Sequence, residues 1–226
     1  MAGHEMFHEQ GDPRSLRREL EIAANDENST IRDRFWANEA VAYWETRDGG
    51  VSSENRLKLM SELIDAGSLG SRERLSLHFK ELVFWADRGD RDNLNSTYAT
   101  AMRLNVDSMS KRLIRYNFAV SLDRTGSLRE ARQIIDALIN QYFNILGISE
   151  PSTVGKSNKS LHASLPAGTD TDDLKRLADS LALWSQIVVR MGEPPLLRRI
   201  TALKFYGLAQ AARSVVSTGL EAVDDF

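Results

Sequence analysis

At 226 residues, with 42% apolar and 27% charged side chains, the chain is long enough to bury a substantial core. Its 29 basic and 32 acidic residues leave a net charge of −3, without the basic excess on which nucleic-acid binding draws. The absence of cysteine excludes disulfides, thiolate metal sites and a cysteine nucleophile.

Residues 1–12 read as a flexible N-terminus. Asp12-Pro13 opens the first predicted helix, with proline at the position where a missing N–H costs nothing, and Leu16, Leu20 and Ala23 carry it to near Asn25. Ser29 or Thr30 caps a second helix through Ile31, Phe35, Val41 and Trp44, which stops at Asp48-Gly49-Gly50. Ser52 or Ser53 caps a third, with Leu57, Met60, Leu63 and Ile64 on one side and Gly67 at its end. Ser71 to Arg88 makes a fourth, lined by Leu75, Phe79, Leu82 and Trp85 and ended by Gly89. A fifth runs from Asp90 to Leu104 with Leu94, Tyr98, Ala101 and Met102.

The sixth and seventh helices, from about Ser108 to Phe143, contain the best-formed pattern in the chain: LIRYNFAVSLDRTGSLREARQIIDALI, Leu113 to Ile139. Apolar residues recur at helical spacing on both sides of a break at Thr125-Gly126. The eighth helix begins near Asp170–Asp173, whose acids suit a helix N-terminus, and its stripe is Leu174, Leu177, Leu181, Trp184, Val188 and Met191. Pro194-Pro195 opens a ninth through Leu197, Ile200, Leu203 and Tyr206 towards Val216. Tyr206, Leu208 and Val215 either fold back on the eighth helix or face a second subunit.

Successive glycine breaks, Gly49, Gly89, Gly126 and Gly192, are 40, 37 and 66 residues apart. The last interval contains a polar stretch of 23 residues without periodicity, 147–169, and removing it leaves 43. A period near 40 residues is the scale of helix-pair repeats. The expected fold is therefore all-α: antiparallel helical hairpins stacked as a short right-handed α-solenoid. Residues 13–146 would form N-terminal repeats, 147–169 a polar loop or disordered insertion, and 170–220 a C-terminal hairpin continuing the same domain.

Phe118-Ala119, Leu122, Gly126, Leu128, Ala131 and Ile135 together resemble a tetratricopeptide repeat: a large–small pair, a first-helix apolar residue, a turn glycine and a small second-helix residue. The units around Gly89 and Gly192 match in part, through Trp85 and Tyr98 and through Trp184 and Val188. The resemblance implies that the inner face of each first helix grips a protein segment. Carried over by position, that face comprises Glu39, Tyr43, Phe79, Lys80, Val83, Tyr116, Asn117, Val120 and Gln186. Members that hold a terminal carboxylate use basic and asparagine side chains, and only Lys80 and Asn117 match that chemistry here.

No catalytic constellation emerges. His4-Glu5-Met6-Phe7-His8 matches the H-E-x-x-H zinc pattern but lacks its long helix and third ligand, and Gly155-Lys156-Ser157 lacks the glycine and strand of a phosphate-binding loop. The sequence therefore points to a non-enzymatic scaffold or adaptor, without cofactor or metal, that holds a partner protein or peptide. A homo-oligomer or larger complex formed through the C-terminal helix is compatible with it, whereas nucleic acid and membranes are not expected partners. A regulatory sensor that binds a peptide or nucleic acid and controls a separate effector is the alternative, and a zinc metalloprotease the remote one. Without a signal-peptide pattern or 18 consecutive apolar residues, a cytoplasmic location is expected.

Overall fold

A computed structural model describes residues 13–47, 52–148 and 169–221, and all regular structure among them is helical. The helices are α1 (Pro13–Asn25), α2 (Ile31–Arg47), α3 (Glu54–Ala66), α4 (Ser71–Asp87), α5 (Arg91–Arg103), α6 (Ser108–Arg124), α7 (Leu128–Ile145), α8 (Thr171–Arg190) and α9 (Leu196–Glu221). None of them is long and apolar enough to cross a membrane. By their contacts the residues divide into two compact units, Met1–Ile114 and Arg115–Phe226, and the division falls inside α6. The H-E-x-x-H match, Gly49 and the Gly155-Lys156-Ser157 segment lie outside the described residues.

Local chemistry sets the helix ends. The Thr30 hydroxyl accepts the Asp33 N–H at 3.1 Å and donates to the Asp33 carboxylate at 2.6 Å, so Thr30 rather than Ser29 caps α2. Ser53 caps α3 by accepting the Arg56 N–H at 3.2 Å, while Ser52 is buried and donates to the Ala42 carbonyl. Asp90, Asp107 and Asp170 each accept a backbone N–H at the start of a helix. Hydrogen bonds hold the Asp90 and Asp107 carboxyls below the usual range, Asp90 chiefly through the Asn93 side chain and then its N–H, and Asp107 chiefly through the Ser110 N–H. At the other ends one stop recurs. The N–H donors of Leu69, Asp90, Ser127, Ile148 and Glu193 reach back five residues to close a Schellman-type turn. Gly126 supplies the left-handed residue of one such turn, at φ +78°. Gly67 serves differently: its own φ is −91°, Ser68 takes the positive φ, and a Cβ on Gly67 would lie 2.7 Å from Ile31 Cγ2.

In the first unit, α2, α3 and α4 enclose a core of Phe35, Ala42, Leu57, Met60, Leu63, Ile64, Leu77 and Phe84. A polar hub adjoins it. Arg56 on α3 bonds Glu45 (3.0 Å) and Asn38 (3.0 Å) on α2 and Glu21 (3.1 Å) on α1. Lys111 donates to the carbonyls of Met102 and Leu104, meeting the negative end of α5 with a cation.

In the second unit, Ala119, Leu122, Ala131, Ile135, Leu138, Ile139 and Tyr142 are all almost fully buried. Every position of the Phe118–Ile135 pattern except the exposed turn residue Gly126 and the half-buried Leu128 is thus in the core. Phe143 and Phe205 meet edge to face at 6.1 Å, tying α7 to α9.

Two expected faces are rotated. On α4 the deeply buried residues are Leu77, Leu82, Phe84 and Ala86, whereas Leu75, Phe79 and Trp85 are half-buried. The helix packs against α2, α3 and α5, so its buried surface is not a single stripe. On α9, Ile200 and Leu203 are 49% and 67% exposed, and Thr201, Ala202, Phe205, Leu208 and Ala209 are buried. The small Ala202 and Ala209 flank Phe205 on the inward face, so close approach outweighed side-chain size in choosing it. Leu208 is thus an interior residue, and Tyr206 bonds to α8.

Candidate protein-interaction surfaces

In the first unit the nominated Tyr43, Phe79, Lys80 and Val83 lie on α2 and α4, which touch. Glu39 is the centre of their contact. Its carboxylate accepts the Ser76 hydroxyl at 3.1 Å and stands 3.3 Å from the Lys80 ammonium, and the Glu39 and Lys80 side chains are only 10% and 11% exposed. Lys80 also lies 5.2 Å from the centroid of the Tyr43 ring. Tyr43 is exposed, while Phe79 and Val83 are half-buried. Desolvating this pair costs free energy that its mutual attraction, the hydroxyl and the ring offset. Lys80 is therefore committed to Glu39 and is not a free cation for a terminal carboxylate.

Towards the start of both helices, the Arg72 guanidinium lies 4.9 Å over the Trp36 ring. Trp36 in turn meets the buried Phe35 edge-on at 5.3 Å, which seats its indole against the core. Arg32 pairs with the buried Glu73 at 3.4 Å. The contacts follow one order along the two helices: residues 32 and 36 meet 73 and 72, residue 39 meets 76 and 80, and residue 43 meets 80.

In the second unit, Tyr116, Asn117 and Val120 on α6 are half-buried and Gln186 on α8 is exposed. Tyr116 belongs to a cluster of phenols and charges. The Tyr206 hydroxyl donates to Asp179 at 2.6 Å, and Arg176 stands 3.8 Å from the same carboxylate. Burial, and then the Asp179 charge, push the Tyr116 phenol up to about 12. Tyr206 is raised too, by burial first and then by its hydrogen bond to Asp179. Further along, Arg190 on α8 donates to the Asp123 carbonyl at 2.8 Å and to its carboxylate at 2.6 Å. Trp184, half-buried, lies beneath the guanidinium of Arg198 at 4.3 Å and that of Arg132 at 5.6 Å. Asp136 pairs with both arginines, and Glu193 with Arg132.

The structure thus joins Tyr43 to Lys80 and gathers Tyr116 with Asp179 and Tyr206. Gln186 stands exposed on α8. Assignment by repeat position passed over Trp36, Arg72 and Asp179. One signal for the first was available: Trp36 precedes Tyr43 by one heptad and so shares its face of α2. Among the described residues, no group of three or more His, Cys, Asp or Glu could hold a metal ion. An open groove of about 550 Å³ is lined by Arg18, Glu21, Ile22, Asn25 and Asp26, and contains none of the nominated side chains. Comparison with protein-family models, with curated proteins and with solved structures finds no match.

Proposed function

We propose that the chain is a helical-repeat scaffold, tetratricopeptide-like and right-handed, whose first helices, α2 and α4 in the first unit or α6 and α8 in the second, hold a segment of a partner protein. The reading rests on one observation: helices one period apart lie side by side and run the same way. Ser76 meets Glu39 across 37 residues of sequence, and Arg190 meets Asp123 across 67. The second separation spans the 23-residue polar stretch, without which it falls to about 44 residues, close to the period of helix-pair repeats. Second helices behave alike, since Arg198 meets Asp136 across 62 residues.

Neighbouring helices, by contrast, make contacts in opposing order. Arg88, after the end of α4, pairs with Glu54 at the start of α3, and Arg132 near the start of α7 pairs with Glu193 beyond the end of α8. Alternating antiparallel neighbours with parallel next-neighbours are the signature of stacked hairpins. The first helices also carry the mixed aromatic and polar strips described above, which suit an adaptable grip on a peptide.

The reading is tested by selecting segments from a random peptide library on the full-length chain and mapping hydrogen exchange with a selected peptide bound. Protection should concentrate on α2, α4, α6 or α8, and Tyr43→Ala, at an exposed position, should weaken binding without lowering Tm. Protection confined to α3, α5, α7 and α9, or no selected peptide at all, overturns it.

A further inference from the structure

Within that reading, we infer that the α2–α4 strip takes an acidic segment, with a side-chain carboxylate on Arg72 and an apolar or aromatic residue about three positions away against Tyr43. Other ring-stacked cations among the described residues have carboxylate partners. Lys80 has Glu39, Arg88 has Glu54, and Arg132 and Arg198 share Asp136. Arg72 has none among the described residues and is exposed. Held over Trp36 and exposed, the guanidinium keeps N–H donors for a carboxylate, which it can bind in bidentate fashion. Trp36 is itself held by Phe35, so little side-chain freedom is lost when a ligand arrives.

The surroundings favour an anion at this end of the strip. The first turns of α2 and α4 lie together here, with positive macrodipole ends. Their arginines Arg32, Arg34, Arg72 and Arg74 outnumber the carboxylates Asp33, Glu73 and Asp65; Arg74 pairs with Asp65, and Glu73 is buried under Arg32. The opposite end of the strip is Tyr43, with Phe79 and Val83 half-buried on the adjoining helix. Between the ends, Glu39 and Lys80 neutralise each other.

The spacing follows from geometry. Trp36 and Tyr43 are seven residues apart on α2, about 10 Å at the helical rise of about 1.5 Å per residue. An extended peptide advances about 3.3 Å per residue, so the distance corresponds to three positions.

The experiment sequences the library peptides selected on the full-length chain, displayed internally so that no free chain end is present. Their affinities are then measured against the chain and its Arg72→Gln variant. Asp or Glu should be enriched three positions from an aromatic or aliphatic residue, Arg72→Gln should weaken binding about tenfold, and added salt should weaken the parent more than the variant. Because Arg72 is exposed, Tm should not change. Selected peptides without acidic enrichment, or with equal affinity for Arg72→Gln, overturn the inference while leaving peptide binding on the first helices standing. Failure to select any peptide overturns both. Competition by single-stranded oligothymidylate at the selected peptide's affinity would reassign Arg72 to a phosphate ligand and overturn the acidic-peptide assignment.

Discussion

Replacing Arg56 by methionine tests whether the first unit depends on its polar hub. The guanidinium joins α1, α2 and α3 through Glu21, Asn38 and Glu45, and its side chain is only 14% exposed. Methionine keeps much of the apolar stem but removes every donor. Glu45, 15% exposed, then retains only the Ser53 N–H at 3.4 Å, while Glu21, 36% exposed, regains water. Stranding one largely buried carboxylate costs about 3 kcal/mol, and freeing the more exposed Glu21 adds less than about 1 kcal/mol. The second substitution in Arg56→Met/Glu45→Met removes the stranded charge and should restore about 1–2 kcal/mol. Urea unfolding should be followed by tryptophan fluorescence in a Trp184→Phe background, where Trp36, Trp44 and Trp85 report on the first unit. A loss under about 1 kcal/mol for Arg56→Met refutes the reasoning. So does a double variant no more stable than the single one.

Two further outcomes follow from the second unit. Gly126→Ala should cost roughly 1 kcal/mol: φ is +78° and nothing lies within 4 Å of the new Cβ, so the penalty is backbone strain without collision. Asparagine tolerates the left-handed region, so Gly126→Asn should lose less, and equal losses in thermal melts would contradict this origin. Tyr116 makes stability fall in alkali, because the unfolded phenol ionises near pH 10 while the folded one resists to about 12. The stabilisation is intact below pH 10 and lost as pH rises through 12, by roughly 2 kcal/mol. Tyr116→Phe should flatten that decline in urea melts across the range, and an unchanged slope would show that the phenol does not drive it.

The helices were legible because their signals are local. Pro13, Thr30, Ser53, Asp90 and Asp170 mark starts within the reach of one side chain, and Gly89, Gly126 and Gly192 mark stops by their positive φ. Which way a helix faces is not local. On α9, Ile200 and Leu203 look like core by hydropathy, yet the face that approaches closely holds Ala202, Phe205 and Ala209. On α8, burial of Ala178, Ser180, Leu183 and Ser185 beside the expected Leu174, Leu177 and Leu181 reflects packing on both α7 and α9. Repeat position nominated Tyr43 and Lys80, whose ring and ammonium lie 5.2 Å apart. It could not show that Glu39 would neutralise Lys80, or that Arg72 would stack on Trp36, because those pairings depend on the register between two helices.

Most of the polar groups buried on the first helices have a local explanation. Glu73 accepts the Gly70 N–H at the start of α4, Asn38 serves the Arg56 hub, and Ser180 and Ser185 bond carbonyls four residues back in α8. Glu39 instead pairs with Lys80 between α2 and α4, with the Ser76 hydroxyl and the Tyr43 ring beside them. Apolar residues of similar volume at such a position are often neutral or stabilising, so packing alone gives no reason for a nearly buried acid and base between α2 and α4. The proposed grip on a segment bearing both charge and apolar surface does give one. The pair keeps the middle of the strip polar without net charge. In that proposal it leaves Arg72 to select at one end and Tyr43 at the other.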